Sequence, residues 1–190
     1  MSDQQIPDRP LIHGKQVWLR PMEERDLPAY VASVNDTEVG GKAGFKVPVS
    51  VGMVKTWLDK GLTRMSAGEA YFFAVCVFGS DTFIGTVWLQ DIHHVSGNSE
   101  LAICMDRDHV GTGWGTDALR ALLDFGFGTI SLRRIWLTTS ADNARALRSY
   151  EKLGFRREGL LREDSIVNGR PVDSILMAML RGEWAETPAP

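Results

Sequence analysis

Asn143-Ala-Arg-Ala-Leu-Arg-Ser-Tyr-Glu-Lys-Leu-Gly-Phe155 is the most informative stretch of this 190-residue chain. Leu147, Tyr150 and Leu153 recur every third residue and lay an apolar stripe along one side of a helix. Asn143 is a favoured helix-starting residue, because its side-chain oxygen can accept from an N–H of the first turn. Gly154 stands where a helix closes on a left-handed residue. A helix over Asn143–Leu153 follows. Asn143 and Tyr150 are seven positions apart, so at about 100° per residue they share one face, two turns apart. That pairing has two readings. The amide either caps the helix or holds a ligand arm, and the phenol either packs with Leu147 and Leu153 or faces a cleft.

Outward from this helix, Arg133–Ser140 precedes it as a strand. Phe155–Leu161 and Val172–Leu180 follow as a strand pair joined across Asn168-Gly169. Further upstream, Leu119, Leu122, Leu123, Gly126 and Ile130 mark one face of a helix. Before it, Ala70–Phe78, Thr82–Gln90 and Ser99–Met105 are strand-forming runs separated by short turns, which predicts an antiparallel meander. Near the start, Val17–Met22 alternates like a strand and a helix runs to about Asn35. A glycine- and lysine-rich loop spans Asp36–Val49, and Ser50 is placed to cap a second helix carrying Val54, Trp57 and Leu58. The order β-α-α-β-β-β-α-β-α-β-β predicts an α/β protein with one mixed, mostly antiparallel sheet of about seven strands flanked by about four helices. Strand–helix–strand crossovers supply the parallel pairing.

Between the meander and the next helix lies Val110-Gly-Thr-Gly-Trp-Gly-Thr-Asp117. Closely spaced glycines let the backbone approach a ligand and turn N–H groups inward, and the helix start adds unpaired donors and a positive dipole end. A pyrophosphate cradle fits; so, from the loop alone, does a plain tight turn. A nucleotide P-loop needs Gly-Lys-Ser/Thr, and Thr116 and Asp117 follow the last glycine instead. The dinucleotide pattern fails at Thr116, and its fold has no place for an antiparallel meander before the loop.

Composition narrows the class further. The chain is 44% hydrophobic and 24% charged with a formal charge of −3, which is ordinary for a globular domain and argues against nucleic acid as partner. No apolar run approaches the roughly 20 residues of a membrane span, and the polar start MSDQQIPDRP lacks a secretory layout. Cys76 and Cys104 both sit in apolar stretches, as buried thiols do. The expectation is a cytoplasmic protein. Residues 1–13 form a mobile N-terminus, 14–186 a single domain and 187–190 a mobile tail.

With topology and loop together, the chain resembles the GNAT superfamily of N-acetyltransferases. Val110–Gly115 is similar to the family's Gln/Arg-x-x-Gly-x-Gly/Ala, with Val110 in place of the usual polar residue. Asn143–Phe155 resembles its Asn…Tyr-Glu-Lys-Leu-Gly-Phe segment nearly residue for residue. Asn168-Gly-Arg-Pro-Val-Asp-Ser-Ile-Leu-Met177 and Glu183-Trp184 resemble the branch that acetylates ribosomal-protein N-termini. The resemblance covers about residues 14–184.

The resemblance implies acetyl-CoA as co-substrate, a primary amine as acceptor, no metal, and a homodimer as a common assembly. It implies that the cofactor runs past Ile103 and Met105 and over Val110, Gly111, Thr112, Gly113, Trp114, Gly115 and Thr116. Asn143 and Arg148 would complete that path, with Arg107 as a helper near the pyrophosphate. Tyr150 would protonate the departing thiolate and Glu100 would take the amine's proton, although Glu100 also reads as an exposed strand-edge carboxylate and His93-His94 as a rival base. Phe45, Trp57 and Trp88 are candidate acceptor-lining residues. Two other classes compete with the enzyme: a non-catalytic acyl-CoA sensor on the same fold, and a dinucleotide-binding oxidoreductase.

Overall fold

The structure, a computed structural model, describes residues 11–36, 48–167 and 169–186. The tail 187–190, most of the segment 1–13 and most of the loop 36–49, Phe45 included, lie outside the described residues. Strands β1 (Ile12–His13) and β2 (Val17–Pro21) come first, then helices α1 (Leu27–Asn35) and α2 (Val51–Ser66). The meander is β3 (Tyr71–Val77), β4 (Phe83–His93) and β5 (Asn98–Met105). Helix α3 (Trp114–Asp124), β6 (Arg134–Ser140) and α4 (Ala144–Leu153) follow. The chain then forms β7 (Arg156–Val167), β8 (Arg170–Leu180) and a short α5 (Arg181–Glu186).

The strands form one eight-stranded sheet in the order β1-β2-β3-β4-β5-β6-β8-β7. β5 and β6 are its parallel pair, joined by the crossover through α3; the other neighbours run antiparallel. The sheet separates two cores. On one face α3 and α4 pack Leu119, Leu122, Leu147 and Leu153 against Val87, Leu89, Leu101 and Leu137. On the other, α1 and α2 pack Leu27, Tyr30, Val54 and Leu58 against Phe72, Trp88 and Cys104. Alternation along β5 explains the split: Leu101, Ile103 and Met105 face the first core, while Glu100, Ala102 and Cys104 face the second.

Parallel pairing between β5 and β6 is short. Asn98, Ser99 and Glu100 pair with Arg134, Ile135 and Trp136, and the ladder stops there. β5 continues on β4 as far as Met105 opposite Gly85, and β6 continues on β8 as far as Ser140 opposite Ser174. The sheet therefore opens as a wedge between Leu101–Met105 and Leu137–Ser140.

Some details differ from the sequence expectation. The α3 pattern does not run to Ile130 as one α-helix, because a π-helical turn takes over at Phe125–Thr129. It seats Phe125 edge-on against Tyr71 and Phe73, and it brings Gly126 so close to β6 that a Cβ there would lie 2.8 Å from Ile135 Cδ1. The eighth strand is the two-residue β1, too short to leave a periodic signal.

Candidate active site

A cavity of about 570 Å³ occupies the wedge. Its walls are Leu101–Met105 of β5, Thr138–Ser140 of β6, the beginnings of α3 and α4, and Asp164–Val167 of β7. The N–H of Asp106 donates to Ile84 on β4, while the carbonyl of Gly97 accepts from Arg133 and Arg134 on the β6 side. With a two-residue alternation, the Leu101 carbonyl and the backbone groups of Ile103 and Met105 point into the wedge, where β6 no longer meets them. These are polar backbone groups with room for a ligand to pair with them.

The glycine loop forms one end of the cavity. Val110 is extended (φ −76°, ψ 135°) and Gly113 is the N-cap of α3. Gly111 and Gly113 have φ of 85° and 91°, and a Cβ at either would meet nothing within 4 Å. Glycine is required there by backbone conformation, and the space beside it is open for a ligand to approach the helix N-terminus. Gly115 is different: a Cβ would lie 3.2 Å from Met105 Cγ, so its smallness lets α3 lie close over β5. Val110, Gly111, Gly113, Gly115, Thr116, Ile103 and Met105 all line the cavity.

Thr112 and Trp114 belong to the same loop but do not line the cavity. The Thr112 hydroxyl donates to the His109 carbonyl at 2.8 Å, tightening the loop. The Trp114 indole stacks on His109 (centroids 5.3 Å apart) and donates to Gln16 Oε1 at 2.7 Å. Spacing placed both in the loop, but local hydrogen bonds decide where their side chains go.

Asn143 caps α4, its Oδ1 accepting from the Ala146 N–H at 3.2 Å, and it also lines the cavity. Gly154 closes the helix with φ 102°. Tyr150 is buried, packs edge-on against Phe155 and lines the cavity two turns from Asn143. Burial pushes its phenol up to about 12. Glu100 also lines the cavity, from the opposite face of the sheet, and accepts from Gln90 Nε2 at 2.8 Å. Its carboxyl is raised above the usual range, chiefly by burial, with the Gln90 hydrogen bond opposing that shift and the Asp91 charge adding to it. The wedge thus joins an acid-capable phenol on the α3/α4 face to a carboxylate on the α1/α2 face.

Of the other sequence candidates, Arg148 and Trp88 line the cavity, as does His109, and Trp57 does not: it stacks on Tyr30 (5.8 Å) inside the α1/α2 core. His93 and His94 lie outside it, and His93 Nδ1 is engaged by Ser96 at the β4–β5 turn. Arg107 is not a wall and reaches Asp36 at 3.2 Å. Both cysteines are free and buried. Among the described residues no group of three His, Cys, Asp or Glu is placed to hold a metal, and no helix is long and apolar enough to cross a membrane. The sequence reading missed Gln90, Thr138–Ser140, Arg145, Lys152 and Asp164 as walls. The hydroxyl run Thr138-Thr-Ser140 at a strand end was a usable signal; Asp164 gave none, because its place depends on how β7 bulges against β8 between Leu161 and Ser165.

The comparisons agree with this geometry. The "Acetyltransferase (GNAT) domain" family matches residues 16–156. An uncharacterized N-acetyltransferase, p20, of Bacillus licheniformis is 26% identical over 174 residues, covering 92% of this chain and 98% of its own length. Spermidine N(1)-acetyltransferase of Escherichia coli K12 is 30% identical over 169 residues, 88% of each chain. The crystal structure of spermidine N-acetyltransferase from Vibrio cholerae in complex with CoA and spermine superposes with a TM-score of 0.83 at 25% identity, covering 90% of this chain and 99% of that one. A splayed β5–β6 wedge, a glycine loop at a helix start and a match over most of the domain lead to one assignment: the chain belongs to the GNAT family of acetyltransferases, enzymes that use acetyl-CoA.

Proposed function

We propose that this protein transfers the acetyl group of acetyl-CoA to a primary amine by direct attack, with Tyr150 serving the leaving thiolate and Glu100 taking the amine's proton. The observation that carries the reading is the wedge: one opening in the sheet is lined by Tyr150 from one face and by Glu100 from the other. The pyrophosphate lies at the N–H groups of the Gly111–Gly115 loop and the α3 N-terminus, which compensates for an apolar Val110. The pantetheine arm runs between β5 and β6, with Asn143, the Leu101 carbonyl and the backbone groups of Ile103 and Met105 as its polar partners. One of those N–H groups receives the carbonyl oxygen as negative charge develops on it.

The acceptor enters from the α1/α2 face as an ammonium ion. Glu100 removes one proton and later gives it to solvent, the nitrogen lone pair attacks the thioester carbon, and the C–S bond breaks as the carbonyl re-forms; the nitrogen's second proton is lost in that collapse and replaces the one that Tyr150 gives to sulfur. A phenol at about 12 and a thiol near ~8.5 make full proton transfer uphill. Tyr150 therefore acts first as a hydrogen-bond donor to sulfur as charge grows there, and transfer completes late. Arg145, Arg148 and Lys152 of α4 line the cavity together with two carboxylates, Glu100 and Asp164, and Glu100 on the acceptor face suits a cationic acceptor. Together with the spermidine-specific names of the relatives, this puts a small alkyl polyamine first among acceptors.

The test is acetyl transfer by the full chain to spermidine, spermine and a panel of amino acids and N-terminal peptides, with calorimetric titration of acetyl-CoA alongside. Acetyl-CoA binding with turnover of a polyamine supports the reading. Binding without turnover on the whole panel supports an acyl-CoA sensor, the alternative that Val110 favours. Absence of acetyl-CoA binding overturns both.

A further inference from the structure

We propose that Gln90 is the positioning residue of this site: its side-chain amide fixes the Glu100 carboxylate so that one oxygen is held and the other receives the acceptor's proton. The inference rests on the reading of Glu100 as the base and adds to it the group that orients and poises it.

Gln90 on β4 and Glu100 on β5 are direct partners in the antiparallel ladder, so their side chains leave the sheet side by side on the acceptor face. Trp88 and Ala102, the next pair on that face, continue the same wall, and all four residues line the cavity. The amide Nε2 donates to Glu100 Oε2 at 2.8 Å, and Oε1 has no protein hydrogen-bond partner among the described residues. Behind this pair the Ser99 hydroxyl donates to the Gln90 carbonyl at 2.8 Å, pinning the strand at that point.

The chemistry needs an amide rather than a second carboxylate. Gln90 donates to the ionised form and carries no proton that it can exchange at neutral pH. In the proton step an N–H bond of the ammonium breaks, its electron pair stays on nitrogen, and a new O–H bond forms at Oε1. The Gln90 N–H bonds are unchanged. The Asp91 charge acts on Glu100, and Asp164 of β7 and Arg145, Arg148 and Lys152 of α4 line the same cavity. Asp91 follows Gln90 at φ 51° and is engaged by Arg64 Nη2 of α2 at 2.8 Å; Asp164 reaches the cavity from β7. Gln90 is a neutral donor whose hydrogen bond opposes the effect of burial on Glu100, and the half-buried carboxylate depends on it to stay ionised.

The experiment follows the carboxyl carbon of Glu100 by NMR through a pH titration in the full chain, comparing wild type with Gln90→Met, which keeps the shape and removes the donor. In parallel, kcat/KM for spermidine is measured against pH for both proteins and for Glu100→Gln. The expected result is a higher titration midpoint for Glu100 in Gln90→Met and an acidic limb of kcat/KM displaced upward by the same amount. The alkaline plateau also falls, because the ionised carboxylate is no longer held toward the acceptor, while the KM for acetyl-CoA is unchanged. Glu100→Gln loses the limb and falls roughly 100-fold. An unmoved NMR midpoint in Gln90→Met overturns the inference, as does an acidic limb of kcat/KM that stays at its wild-type position. If Glu100→Gln keeps both rate and limb, the base assignment itself fails and this inference falls with it.

Discussion

The Asp117 carboxylate, in the first turn of α3, accepts a 2.7 Å hydrogen bond from the backbone N–H of Gln16, in the turn between β1 and β2. The same carboxylate accepts from the N–H groups of Lys15 (3.0 Å) and Val17 (3.2 Å), and Gly14 approaches so closely that a Cβ there would lie 2.4 Å from it. Asp117 therefore clamps the sheet's first turn onto the helix that follows the glycine loop, and Trp114 reinforces the clamp through Gln16.

Asp117→Ala is expected to release three backbone donors at once. Because most of the site is solvent-accessible, water recovers part of the loss, leaving about 1–2 kcal/mol of destabilisation. For a domain of this size that lowers the melting temperature by roughly 2–8 °C. Urea denaturation measures the stability, and calorimetry should show weaker acetyl-CoA binding because the start of α3 loses its anchor. A melt equal to wild type would mean that the clamp contributes nothing.

Asn143 does two tasks that different substitutions separate. Its Oδ1 caps α4 and it lines the cavity, where the proposed reading has the amide N–H₂ meet the pantetheine arm. Asn143→Ser keeps a capping oxygen and removes that donor; Asn143→Ala removes both. The expected outcome is near-native stability for Ser, a loss of about 1 kcal/mol for Ala, and weakened acetyl-CoA binding in both. Equal acetyl-CoA affinity in all three proteins would confine Asn143 to the capping role.

These local features were legible in the sequence because their causes are local. The Ser50 cap, the α4 limits from Asn143 to Gly154 and the positive-φ glycines of the loop each depend on a few neighbouring residues. The wedge was not legible. It arises because β5 keeps β4 and β6 keeps β8 after their own ladder has ended at Glu100 and Trp136, a long-range register that no periodicity encodes. For the same reason Gln90, Thr138 and Asp164 were missed as walls, and the side-chain partners of Thr112 and Trp114, the His109 carbonyl and Gln16, were not foreseen.

Tyr150 is protonated throughout the neutral and mildly alkaline range, since burial pushes its phenol up to about 12. Tyr150→Phe should lower kcat roughly 10²–10⁴-fold while leaving the KM for acetyl-CoA within about threefold. The wild-type rate should show no alkaline loss attributable to this phenol below about pH 11. A fall of kcat near pH 10 that disappears in Tyr150→Phe would place the phenol's titration lower than its burial implies. An unchanged kcat in the variant would return Tyr150 to the core as a packing residue beside Phe155.

Glu100 links activity to stability with a definite sign. Burial raises its folded-state value above that of the unfolded chain, so the folded form binds this proton more tightly. The stabilisation from that proton is fully present below the unfolded value, near ~4.3, and is lost as pH rises through the raised folded value. At neutral pH the ionised, half-buried carboxylate works against folding. Glu100→Gln keeps a hydrogen-bonding partner for Gln90 and removes the charge. It should melt at or above the wild-type temperature at pH 7, and that advantage should shrink as pH falls toward 4, while acetyl transfer drops roughly 100-fold. Thermal melts from pH 4 to 8 beside a transfer assay give both halves. A variant that loses stability uniformly across that range would show that Glu100 is held there for packing, and its burial would then have no catalytic purpose.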